Sequence, residues 1–154
     1  MLEFVEGIEE SVFNIADYLI SELEESRPPY YAFILMQGVC LCLWYSTPRT
    51  LMALREHEFT STFFERVLSA EFRAERDVEI KRLVIGLSSV VRRNQSELRP
   101  PVQHKIPGIM GAIVRLCERS IIVRNANLKE IEQAEEDNSV KTSGEIYEQE
   151  ENSF

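Results

Sequence analysis

Apolar residues in this chain recur every three or four positions, in segments cut by prolines. That spacing leaves little besides packed amphipathic helices as a fold. In the first segment Ile8, Val12, Ile15, Ala16, Leu19 and Leu23 mark one face, with acids opposite. Arg27-Pro28-Pro29 closes it, because proline has no N–H to donate and restricts the residue before it. Residues 31–46 are apolar nearly all round, which predicts a helix covered on more than one side. Thr47-Pro48 ends that run, and Thr47 is the expected cap of a short piece over residues 48–57. A fourth segment, about 60–70, carries Phe63, Phe64, Val67 and Leu68, with Thr60 or Ser61 as its expected cap. The fifth, 77–93, sets Ile80, Leu83, Val84, Leu87, Val90 and Val91 on one stripe. After a polar loop and Pro100-Pro101, a sixth runs over about 102–123. Its stripe is Ile106, Ile109, Met110, Ile113, Val114, Leu116 and Cys117, and it continues toward Ile131.

Period-two alternation and hairpin-turn dipeptides are absent, so no strand pattern competes. The expected fold is all-α, with antiparallel helical hairpins stacked as HEAT-like repeats at the end of an α-solenoid. Residues 1–124 form the helical domain in this reading, and 125–154 an acidic, largely disordered tail.

The chain has 154 residues and a formal charge of −9. Nine acids lie beyond Arg124, opposed only by Lys129 and Lys141, so the acidity belongs to one segment. An acidic segment repels nucleic acid and anionic lipid and attracts basic proteins. The plainer alternative is a solubilising tail with no specific partner. In the attractive reading, Glu130, Glu132, Glu135, Glu136 and Asp137 are the expected contacts for a basic cargo protein.

Catalytic signals are weak throughout. His57 and His104 are far apart, and His57 sits in the acidic run Glu56-His57-Glu58, where exposure is expected. Cys40, Cys42 and Cys117 have no metal-ligand spacing and read as small buried hydrophobes in a reducing compartment. Gly86, Gly108 and Gly111 fall inside helices, where close helix approach explains them better than a phosphate loop does. Ser88 and Ser89 have no base nearby in sequence, and Glu9-Glu10 and Glu24-Glu25 lie on polar faces. The basic cluster Arg73, Arg76, Lys81, Arg82, Arg92 and Arg93 is interleaved in its first half with Glu71, Glu75, Asp77 and Glu79, so local ion pairs are expected. Aromatic residues do not alternate with it as nucleic-acid binding requires. Trp44, Tyr45, Phe63, Phe64 and Phe72 are spaced as core or as repeat-repeat packing. Asn94-Gln95-Ser96 matches a glycosylation triplet by chance in this reading, since the acidic first ten residues lack the basic start of a secretory signal. The apolar run 31–45 is too short to cross a bilayer, which needs about 20 residues. No enzyme and no cofactor is expected.

Four pieces in order carry a resemblance. They are Trp44-Tyr45-Ser46-Thr47-Pro48-Arg49-Thr50-Leu51, then Phe59-Thr60-Ser61-Thr62-Phe63-Phe64, then Lys81-Arg82-Leu83-Val84-Ile85-Gly86-Leu87-Ser88-Ser89, then Arg99-Pro100-Pro101-Val102. Together they are similar to the last repeats of the importin-beta superfamily, closest to the importin seven/eight class, over roughly residues 31–137. The resemblance implies HEAT-type hairpins and the carboxyl-terminal portion of a nuclear transport receptor. Its expected cargo is basic, such as ribosomal proteins or histones. Ran GTPase and nucleoporins are partners of the full-length family, without direct nucleic-acid or membrane binding. The implied location is cytoplasm, nucleus and nuclear envelope. A full receptor is several times longer and carries Ran-binding repeats that have no counterpart here. A structural cap or interaction module without transport activity of its own is the alternative.

Overall fold

The computed structural model describes the backbone of residues 2–69 and 74–151 and the side chains of residues 7–69 and 74–139. Seven α-helices occur among the described residues, and no strand. They are α1 Leu2–Glu24, α2 Pro29–Tyr45, α3 Thr47–Glu56, α4 Thr60–Leu68, α5 Asp77–Val91, α6 Pro100–Gln103 and α7 Ile106–Glu151, with a 3-10 turn at Gln95–Glu97. The chain divides into two compact units, Met1–Ser120 and Ile121–Phe154.

In the first unit α2 is the central element, packed on α1, α3 and α5. That is why its sequence is apolar all round: three neighbours cover it, and Leu35, Met36, Val39, Cys40, Cys42 and Leu43 are buried. Pro28 and Pro29 stand at its start, where a missing N–H costs nothing. At Gly86, α5 lies against the α2 backbone. A Cβ there would lie 2.3 Å from the Cys40 carbonyl oxygen and 2.6 Å from the Cys40 Cβ. Gly86 therefore has the role that its sequence context predicts. Gly108 lies beside the Leu68 side chain, and a Cβ at Gly111 would lie 3.2 Å from the Arg115 guanidinium.

The α1 stripe is shifted from expectation. Val12, Ala16, Ile20 and Leu23 face the core, while Ile8 and Ile15 are about half exposed. On α7, Ile106, Ile109 and Ala112 are buried, but Met110, Val114 and Cys117 lie on the outward side. Trp44 and Tyr45 are exposed rather than core, whereas Phe63 and Phe64 are fully buried edge to face. Phe72 lies outside the described residues, as do Glu71 and Arg73 of the charged cluster.

The expected caps also move. Ser46, not Thr47, is the N-cap of α3, and the Thr47 hydroxyl donates back to the Leu43 carbonyl at 2.7 Å. At α4 the cap position is Phe59, without a side-chain hydrogen bond, so neither Thr60 nor Ser61 caps it. The preceding Glu58 adopts φ 51°, which reverses the chain and buries Phe59. The α5 start is built from within. Glu79, almost fully buried, accepts the backbone N–H groups of Glu75 and Arg76 at 3.1 Å and pairs with the Arg76 guanidinium at 2.7 Å. Burial opposes the charge on Glu79, but these hydrogen bonds outweigh it and hold its carboxyl below the usual range.

The second unit corrects the expectation of a disordered tail. Residues 125–151 are helical, as the last part of α7. Between residues 121 and 143 there is neither proline nor glycine, and strong helix formers such as Glu, Lys, Gln and Ala are frequent. No described helix is long and apolar enough to cross a membrane.

Candidate functional site

The five acids singled out as cargo contacts all lie on this last stretch of α7. Glu130, Glu132, Glu135, Glu136 and Asp137 are exposed. At about 100° per residue, they span roughly 220° of the helix circumference and leave a sector without acids around Ile131. Such a surface is broad and negative and is not confined to one narrow face. Glu132 and Glu136, one turn apart, repel each other. Ile121, Leu128 and Ile131 add an exposed apolar line to the same unit.

A second acidic surface appears in the first unit, and no local run of residues announces it. The groove between α1 and α3 has a volume of about 680 Å³. Glu9, Glu10 and Glu56 line it, and Arg49 and Met52 form part of its α3 wall. Arg49 reaches Glu9 at 3.7 Å, which leaves Glu10 and Glu56 in excess. These residues are some 40 positions apart in the chain, so only the α1–α3 packing reveals them together.

His57 corrects another expectation. Its ring is largely enclosed, with Nε2 2.8 Å from Asp17 and Nδ1 2.9 Å from Glu24, both on α1. Burial disfavours the imidazolium, but the two carboxylates outweigh it and raise the His57 pKa. Both ring nitrogens are engaged, so His57 ties the end of α3 to α1 and has no nitrogen left to act as a base. No group of three or more His, Cys, Asp or Glu among the described residues is placed to hold a metal ion.

The cysteines divide. Burial pushes the Cys40 thiol up to about 12, helped by Cys42 beside it. Burial also raises Cys42 to about 11, against a backbone hydrogen bond that pulls it down. Both are inert packing groups. Cys117 is exposed, contrary to the expectation of burial.

The basic cluster is mostly consumed by local pairing, as its interleaved acids predict. Arg76 pairs with Glu79, Lys81 with Asp77 at 2.8 Å, and Arg82 donates to the buried Gln37 at 3.0 Å. Arg93 adds a long i,i+4 pair with Glu97 at 3.9 Å, and Arg92 is the exception among the described residues. The fold brings them beside Trp44 and Tyr45 in a polar cleft of about 360 Å³. The sequence separates those aromatics from those arginines by almost 50 positions, and the α2–α5 packing joins them. No protein family, curated protein or solved structure gives a match to this chain.

Proposed function

We propose that this chain is a non-enzymatic protein-interaction module, the carboxyl-terminal end of an importin-type nuclear transport receptor that contacts basic cargo. In this reading its helical hairpins stack as HEAT-like repeats. It works in the cytoplasm and nucleus, and Ran and nucleoporins are engaged by other parts of the receptor. The observation that carries the reading is the exposed acidic helix with Glu130, Glu132, Glu135, Glu136 and Asp137 spread over more than half of its circumference. The acidic α1–α3 groove is a second surface of the same sign. Long-range attraction would gather a lysine- and arginine-rich partner, and its strength would fall as salt rises. The test is binding of a histone tail peptide to the intact chain and to a chain cut after Arg124, at low and high ionic strength. The cut chain should bind about tenfold more weakly at low salt, and the two should converge at high salt. Equal affinity, or no salt dependence, would remove the acidic helix from the mechanism.

A second reading, a cap on a helical array, is favoured by a different observation. Ile8, Ile15 and Tyr18 on α1 are exposed by 46%, 54% and 60%. Such a face wants cover from a neighbouring pair of helices. The isolated chain should then self-associate in light scattering. A monomer at high concentration would count against this second reading.

A further inference from the structure

Helix α7 differs from the helices before it in what covers it. Ile106, Ile109 and Ala112 are buried near its start, and from Ile113 to Ser139 no side chain is. A helix in water draws most of its stability from packing an apolar face, so a stretch of this length calls for a partner. Its apolar residues are arranged for one. Met110, Val114, Cys117, Ile121, Leu128 and Ile131 are all exposed, and all but Cys117 by more than half. They follow one another in alternating steps of four and three residues, with Arg124 at the position between Ile121 and Leu128. At 100° per residue the stripe keeps within a sector of about 100° over about three heptads. The next step falls on Glu135, which ends it. Such a stripe has the spacing of the seam of a two-stranded coiled coil.

Charge says which helix fits against it. From Ile106 to Arg124, the arginines Arg115, Arg119 and Arg124 stand against Glu118 alone. From Asn125 to Ser139, the five acids from Glu130 to Asp137 stand against Lys129 alone. The stripe therefore has a basic end and an acidic end. A parallel copy would set acids beside acids and arginines beside arginines. An antiparallel copy sets the basic end of each stripe beside the acidic end of the other, and its two-fold symmetry closes the assembly at two chains.

We propose that α7 pairs with α7 of a second copy of this chain, antiparallel, through the stripe from Met110 to Ile131. The layers of that seam place Val114 opposite Ile131 of the other copy, Cys117 opposite Leu128, and Ile121 opposite Arg124. Arginine in such a layer lays its stem on the apolar seam and keeps its charged head in water. Arg115 comes level with Glu130 of the other copy. The pairing does not depend on a basic cargo, because its contacts are made by the apolar stripe.

The experiment is sedimentation equilibrium of the full chain at low and at high salt. A reversible dimer is expected, weaker as salt rises because opposite charges meet at its two ends. Leu128→Glu, at a position exposed in the single chain, should weaken the dimer about tenfold or more, because it sets a charge in the seam. Ile15→Glu, on the exposed face of α1, should leave the dimer intact, which separates this contact from stacking through α1. A short bismaleimide reads the direction. In the antiparallel register the two Cys117 thiols lie about 16 Å apart along the axis, at 1.5 Å per residue, so the parent should stay uncross-linked. Cys40 and Cys42 are buried and do not compete. Leu128→Cys sets a thiol opposite Cys117 of the other copy and should give covalent dimers. A parent chain that stays monomeric at high concentration would overturn the proposal and leave the stripe to a different partner. So would a dimer indifferent to Leu128→Glu, one lost with Ile15→Glu instead, or cross-linking of the parent from Cys117 to Cys117.

Discussion

At the scale of single residues, Gly86 and His57 show opposite degrees of legibility. Gly86 could be read from its place in an apolar helix stripe, because helix-interior glycine is unfavourable unless something comes close. What comes close is the backbone of Cys40, which cannot yield. Gly86→Ala should therefore destabilise the fold by about 2–3 kcal/mol, despite a gain of about 1 kcal/mol in helix propensity. Gly38→Ala is the control. Its added Cβ would meet Leu19 Cδ1 at 2.9 Å, the end of a side chain that can turn away. Denaturant midpoints should place Gly38→Ala within about 1 kcal/mol of the parent. His57 could not be read this way, because its partners Asp17 and Glu24 lie 40 and 33 positions earlier. Its pKa is raised in the fold above the ordinary 6.5. The clamp's contribution to stability is thus complete below about pH 6.5 and is lost as pH rises through the higher folded value. Unfolding followed between pH 6 and 9 should show that decline. His57→Gln should flatten it.

At the scale of elements, helix positions were legible because their apolar period and their prolines are local properties. Six of the seven helices lie on segments that periodicity marks, and the short α6 follows the Pro100-Pro101 signal. The misses come from competition between neighbours. Thr47 turned back to Leu43 instead of capping α3, and Trp44 and Tyr45 faced outward because α2 had already filled its core sides. The α5 start at Asp77 follows from the apolar period, but its cap does not, because the N-cap is an arginine and Glu79 supplies the acceptor from within the helix. The last stretch of α7 shows the reverse error. Its charge density suggested disorder, but its residues are individually good helix formers. The i,i+4 repulsion of Glu132 and Glu136 remains a weakness of that helix. Glu136→Lys replaces the repulsion with an attractive pair in the favoured orientation, worth about 0.5 kcal/mol. Slower amide exchange around residues 128–140 is the expected outcome, and it should fade with added salt.

At the scale of the whole molecule, what the sequence could not show is which helices meet. The α1–α3 groove and the α2–α5 cleft both consist of residues that are remote in the chain, and each carries a charge character that no local run displays. The all-helical class follows from period alone, whereas the pairing of α2 with α1, α3 and α5 depends on long-range packing. The functional reading rests on charge distribution at this scale: a negative helix and a negative groove offered to a basic partner. Its most direct test is a titration of the isotope-labelled chain with a lysine- and arginine-rich peptide, followed by amide chemical shifts. Shifts should concentrate at residues 130–137 and around Glu9, Glu10 and Glu56, and should vanish together in high salt. Shifts confined to other surfaces, or none at low salt, would contradict this reading.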